Sequence, residues 1–200
     1  YYTSMLSLHD TQEIKLQSLK LKNNDLFDDM LHIVYSNDIK INDLLLESSK
    51  HDAIDIDIST NVNISNSKIY NSGNDGIDIM ESQLNVYNTL IDNSKDKGIS
   101  TGESSKLKVY DSIIENNDVG IASKDGSRAT IINSNLNFNN FQLSAYKKNW
   151  RYGSGGKIFA DNLNFLGNQN LISSEDNSEI LIKNSNFKGV LKKTGKVLIE

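Results

Sequence analysis

Val62-Asn63-Ile64-Ser65-Asn66-Ser67-Lys68-Ile69 reads apolar-x-apolar-x-Asn-Ser-x-apolar, and this pattern recurs along the chain. Its copies begin at Ile14, Ile39, Val62, Leu84, Leu107, Ala129, Ile158 and Ile180, at intervals of 25, 23, 22, 23, 22, 29 and 22 residues. Four residues after each start stand Ser18, Asp43, Asn66, Asn88, Asp111, Asn133, Asn162 and Asn184. Seven after each start stand Leu21, Leu46, Ile69, Ile91, Ile114, Leu136, Phe165 and Phe187. A register held across eight windows marks a repeat architecture.

A second recurring stretch lies between these copies. Asn74-Asp75-Gly76-Ile77-Asp78-Ile79 is echoed by His51-Asp52-Ala53-Ile54-Asp55-Ile56, Asp96-Lys97-Gly98-Ile99-Ser100-Thr101 and Asp118-Val119-Gly120-Ile121-Ala122-Ser123. Each alternates apolar and polar residues after a polar turn, the period-2 signature of a short strand. A repeat near 22 residues also suits leucine-rich repeats, but those need a leucine-dominated consensus and a helical segment per unit. Here each unit offers three short alternating segments, such as 62–64, 67–70 and 76–80, separated by Asn-, Ser-, Asp- and Gly-rich turns. The expected fold is all-β: a three-sided parallel β-helix of about eight coils of ~22 residues, filling 1–200 as a single domain. The Asn/Asp column then forms an asparagine ladder, each side chain bonding to its copies above and below.

Composition narrows the partners. The chain has 26 acidic and 21 basic residues, a net charge of −5, and no basic stripe of the kind nucleic acid requires. No apolar run approaches the roughly 20 residues that span a bilayer. Cysteine is absent, which excludes disulfides and thiolate metal sites. Neither residues 1–4 nor 195–200 read as a cap over an open strand edge, which points to a piece of a longer chain with flanking domains.

The ladder and repeat resemble the right-handed parallel β-helix of pectate lyases and polygalacturonases. More closely, Asn74-Asp75-Gly76-Ile77-Asp78, the stretch 96–103 and Gly120-Ile121-Ala122-Ser123-Lys124-Asp125 look like the β-helix module of bacterial CotH kinase-like proteins. That likeness covers about residues 50–157, including Ala145-Tyr146-Lys147-Lys148 and Tyr152-Gly153. The resemblance implies a right-handed solenoid in a bacterial extracellular or cell-surface protein, with sugar chains lying on the Gly-Ile-Asp-Ile strand. The module brings no settled activity with it.

Aligning that strand gives an outward column of Ser7, His32, Asp55, Asp78, Ser100, Ala122 and Ser144. A neighbouring column runs His9, Val34, Asp57, Met80, Gly102, Lys124 and Tyr146, and a third holds Asp29, Asp52, Asp75 and Lys97. A slip of one residue would turn every such group inward. Asp55 and Asp78 should lie about 4.8 Å apart across the ladder. Three uses compete: a solvated acidic face, a hard cation such as Ca²⁺ held by Asp55, Asp57 and Asp78, or a carboxylate pair for glycoside hydrolysis. Hydrolysis loses support because Lys97-Gly98 stands where polygalacturonases carry a histidine, and no Arg-Ile-Lys follows. Across the enzyme readings the catalytic candidates are His32, Asp55, Asp78, Lys97 and Lys124, with the two lysines as candidate bases of a lyase, although lysines on a strand face are ordinarily solvated. His32 stands out because Asp55 would stack beside it.

The interval of 29 residues exceeds the usual 22 by seven, placing an inserted loop at 146–156. It holds Tyr146, Lys147, Lys148, Trp150, Arg151 and Tyr152, a set suited to stacking on sugar rings and meeting carboxylates. The bland alternative is that Trp150 folds back as a lid over apolar surface. The expected function is a module binding polysaccharide along the acidic strand face. The alternatives are a cation-dependent polysaccharide lyase, a glycoside hydrolase or a structural spacer.

Overall fold

The computed structural model describes residues 4–175 and 177–200. They form a parallel β-solenoid with no helix among the described residues. Sheet one stacks Ser4–His9, Asp29–Val34, Ile54–Asp57, Ile77–Met80, Lys97–Gly102, Val119–Lys124 and Phe141–Tyr146. Sheet two stacks the strands that open each repeat, from Lys15–Gln17 to Val197–Ile199. Sheet three begins with Lys20–Lys22. It joins sheet one at the C-terminal end because Asn164–Ser174 and Asn186–Thr194 run on around the corner from one face to the other.

The repeat register matches the observed pairing. Val62 lies opposite Leu84, Leu84 opposite Leu107, Leu107 opposite Ala129, and Ala129 opposite Ile158 across the long insertion. The column seven residues on pairs from Leu21 and Leu46 through to Phe165 and Phe187. These side chains stack inward into one narrow core, in which the rings of Phe165 and Phe187 stack at 4.7 Å. Such a core gains stability from identical neighbours repeating at the ladder spacing rather than from a thick interior. Val197 lies opposite Ile180 as a ninth copy in sheet two. The sequence pattern misses it because Glu200 falls one residue short of the polar corner position.

Every corner depends on left-handed residues. Asp43, Asn66, Asn88, Asp111, Asn133 and Asn162 all have φ between 43° and 57°, a region that Asn and Asp tolerate best among residues with a side chain. Their ladder is exposed and partial: Asn88 Nδ2 donates to Asn66 Oδ1 at 2.8 Å, and Asn162 Nδ2 to Asn133 Oδ1 at 2.9 Å. Buried hydroxyls form a further ladder. Successive backbone N–H groups of Ser36, Ser59, Ser82 and Ser105 donate to the hydroxyls of Ser59, Ser82, Ser105 and Ser127. These bonds satisfy corner amides that no strand pairing reaches.

Other residue types also occupy this region, including Tyr35, Glu81 and Phe138, and Ile58 is the β-branched case among the described residues. It is 40% exposed and held at φ 46°. A left-handed L-residue costs about 1–2 kcal/mol. Ile58→Asn is expected to stabilise the fold by about 1 kcal/mol, raising the melting temperature by roughly 2–4 °C. Calorimetry showing an unchanged or lower midpoint would contradict this.

Candidate active site on sheet one

The three outward columns stand where their alternation places them. His32 pairs with Asp55, Asp55 with Asp78, Asp78 with Ser100, Ser100 with Ala122, and Lys124 with Tyr146. Met30 N donates to Asp52 O, Ala53 N to Asp75 O and Gly76 N to Lys97 O, which sets the third column in successive coils. The face divides into an acidic half and a lysine–tyrosine half.

In the acidic half, His32 Nε2 lies 3.6 Å from Asp55 Oδ2 and 3.3 Å from Asp57 Oδ2. The Asp57 hydrogen bond raises the imidazole pKa against the opposing effect of burial. Burial, reinforced by Asp57 and Asp29, pushes Asp55 up to about 8. Burial and the charge of Asp52 push Asp29 up to about 7. Asp29 and Asp75 are only 4% and 3% exposed, so the row is not the freely solvated face that alternation alone suggests. The entrance column sits in the corner cleft, where backbone donors rather than water meet the carboxylates: Asp75 N donates to Asp52 Oδ1 at 2.7 Å.

The expected Ca²⁺ set is assembled only in part. Asp55 and Asp57 converge with His32, with ligand atoms within 4.8 Å of one another. Asp78 is instead engaged on the lysine side, its Oδ1 3.8 Å from Lys124 Nζ. Ca²⁺ takes six to eight oxygens, whereas an imidazole suits transition metals, so these donors fit Ca²⁺ poorly.

In the other half, Lys97 Nζ lies 3.5 Å from Asp75 Oδ1 and pairs with Asp96. The side chains of Lys97 and Lys124 are only 12% and 7% exposed, against the expectation of solvated lysines. Burial lowers the Lys97 pKa, but Asp75 and Asp96 outweigh it and hold the ammonium above its ordinary range. That suits Lys97 to neutralising an anion rather than taking a proton. Burial pushes Asp75 up to about 7, with Lys97 opposing. Burial also raises the Tyr146 phenol, while Lys97 and Lys124 pull it down, so this side chain belongs to the groove floor. Ser100 and Ala122 are fully buried despite standing in the outward column, so the floor here lies beneath neighbouring side chains. Ser100 Oγ and Asp78 Oδ1 are buried with no hydrogen bond.

The insertion is anchored by Asp125, which sequence reasoning passed over. Its buried Oδ1 accepts Lys148 N at 2.8 Å and Asn149 N at 2.7 Å. Trp150 is 83% exposed, so it is not a lid, and the Arg151 guanidinium stands 5.9 Å from its ring centroid. Lys148 is exposed and Lys147 half-buried, while Tyr152 turns its phenol toward Glu81 and Glu103. Asp125→Ala would strip both loop amides of their acceptor. A loss of about 2–3 kcal/mol is expected, since each unmet buried donor costs about 1–3 kcal/mol. Urea unfolding checks this, and a loss below 1 kcal/mol would show that the loop does not depend on Asp125.

The alginate lyase of Paenibacillus sp. str. FPU-7 superposes with a TM-score of 0.75 at 16% identity, covering 94% of this chain and 74% of that one. The hyperthermoactive exopolygalacturonase of Thermotoga maritima gives 0.68 at 14% identity, over 98% of this chain and 55% of that one. The A-module of the Azotobacter vinelandii mannuronan C-5 epimerase AlgE4 gives 0.51 at 11% identity, over 94% and 62%. At these identities the likeness is one of fold. No curated protein matches the sequence. Residues 5–150 match the family model described as a right handed beta helix region, and the chain belongs to that right-handed β-helix family.

Proposed function

We propose that this chain is the polysaccharide-processing β-helix of a secreted or surface protein, cleaving a uronate polymer by β-elimination on sheet one. The observation that carries the reading is the shielding from water of Lys97, Lys124 and Tyr146 on the strand face, together with Asp75 buried at the strand entrance. Water-excluded charges act on a bound ligand more strongly than solvated ones do. Lys97, held cationic, offsets the uronate carboxylate and so acidifies the adjacent carbon. Asp75, with a pKa of about 7, matches the proton affinity wanted of a general base near neutral pH. The base takes the proton from C5, the C–H pair forms the C4=C5 double bond, and the C4–O bond breaks. Tyr146, kept protonated by its raised pKa, gives its proton to the departing oxygen. Trp150 and Arg151 extend the binding surface beyond the reacting unit. Alginate lyase and exopolygalacturonase, both acting on uronates, share this fold and support the substrate class.

One observation favours a second reading. Asp55, held at about 8 beside Asp78 on the next coil, has the raised pKa of a glycosidase proton donor. Isothermal titration with size-matched uronate, neutral and amino-sugar oligosaccharides tests the ligand class. Binding confined to the uronate series is expected. A preference for neutral or amino sugars would overturn the uronate assignment.

A further inference from the structure

Lys124 leaves its strand in the sixth coil, yet its ammonium meets Asp78 two coils away, at 3.8 Å. Gly102 stands on the coil between them, in the same outward column. A Cβ there would lie 2.5 Å from Lys124 Cε and 3.4 Å from both Cγ and Nζ. The backbone of Gly102 is not in the left-handed region, so glycine is not required by its own conformation. What its missing side chain provides is a channel one methylene deep. The lysine stem lies along that channel, and Lys124 as a whole is 5% exposed. Its ammonium makes no hydrogen bond among the described residues, and Ser100 Oγ and Asp78 Oδ1 nearby are also without partners. Glu103 and Tyr146 also lie within electrostatic reach of it.

We propose that Gly102 is a positioning residue: it lays Lys124 along the groove floor so that the ammonium, with its donors unfilled, meets a glycan carboxylate two coils from its own strand. The loose Asp78 contact at 3.8 Å, beyond hydrogen-bond range, leaves the donors of the lysine unfilled. The subsite thus reads a uronate unit next to the one that reacts at Lys97. This ligand assignment rests on the proposed function, whereas the positioning of Lys124 by Gly102 does not.

The test therefore has two readouts. In the ligand-free protein carrying ¹³Cε-labelled lysine, Gly102→Ala is expected to shift the Lys124 resonance, because the added methyl occupies the stem's channel. Gly153→Ala serves as the control, since a Cβ there meets nothing within 4 Å. An unmoved Lys124 signal in Gly102→Ala overturns the positioning role. The second readout is calorimetric binding of a uronate hexasaccharide. Gly102→Ala and Lys124→Gln are each expected to weaken it about tenfold, the value of a charged hydrogen bond, and the double variant no further. Additive losses, or wild-type affinity in either single variant, overturn the carboxylate subsite. If Lys124 moves but the wild type binds only neutral or amino sugars, the uronate reading fails together with this subsite, while Gly102's positioning role stands.

Discussion

Lys97→Met is expected to lower turnover of a uronate oligosaccharide by about 10²–10⁴-fold, the range for losing a positioned charge or proton-transfer group. Its ammonium is held close to both Asp75 and Asp96, and Tyr146 faces it from two coils away. The same substitution leaves Asp75 buried beside no cation, and breaking such a pair costs about 3–5 kcal/mol when the survivor must stay charged. Asp75 need not stay charged, because its pKa is already about 7 with Lys97 present and rises without it. The stability lost by Lys97→Met at pH 8 should therefore return at pH 6, whereas the activity should not. Steady-state rates and melting curves at both pH values separate a reacting role from a structural one. Recovery of turnover at pH 6 along with stability would show that Lys97 only holds the strand.

The second large effect is on stability against pH. Asp29, Asp55 and Asp75 have folded-state pKa values of about 7, 8 and 7, against an ordinary 3.8. Between pH 4 and 8 the folded chain then binds more protons than the unfolded one, so unfolding free energy falls as pH rises. His32 acts in the same direction: its raised pKa favours the fold below the ordinary 6.5, and that contribution is lost as pH rises through the folded value. Lys97, raised from 10.5, contributes stability that disappears only in more alkaline solution. Glu179 is lowered to about 2, so its contribution is lost only as pH falls below about 4.5. The net slope should amount to a few kcal/mol between pH 5 and 8, with Asp55 contributing less because it is partly solvated. The melting temperature should fall across that range, and Asp75→Asn should flatten the slope. A melting temperature that rises from pH 5 to 8 would mean these carboxyls are not held as the groove geometry requires.

Much of the fold was legible because period and corner chemistry are local properties. The alternation around Val62 and Ile64 set the inward faces, and the left-handed tolerance of Asn66 and Asn88 set the corner one coil after another. The serine ladder was less legible. Ser59 and Ser82 look like ordinary turn residues until neighbouring coils bring a backbone donor to each hydroxyl. Within the site, alternation placed Asp55, Asp78, Lys97 and Lys124 on the correct face but carried no information on their burial. Burial arises from contacts two coils apart, as when Lys124 crosses Gly102, and no single-coil pattern records them. A glycine in an outward column was the available sign that a long side chain passes over that position. Asp78 shows the complementary lesson: stacking beside Asp55 suggested a shared cation, while a lysine from farther along the chain engages it instead.

The most direct test is to incubate the chain with a uronate polymer and follow both new reducing ends and the ultraviolet absorbance of C4=C5 unsaturated ends. Absorbance rising in step with reducing ends, and abolished in Lys97→Met, is the predicted result. Reducing ends without absorbance would assign the groove to hydrolysis through Asp55 and Asp78, and no new ends from a polymer that binds would contradict catalysis on sheet one.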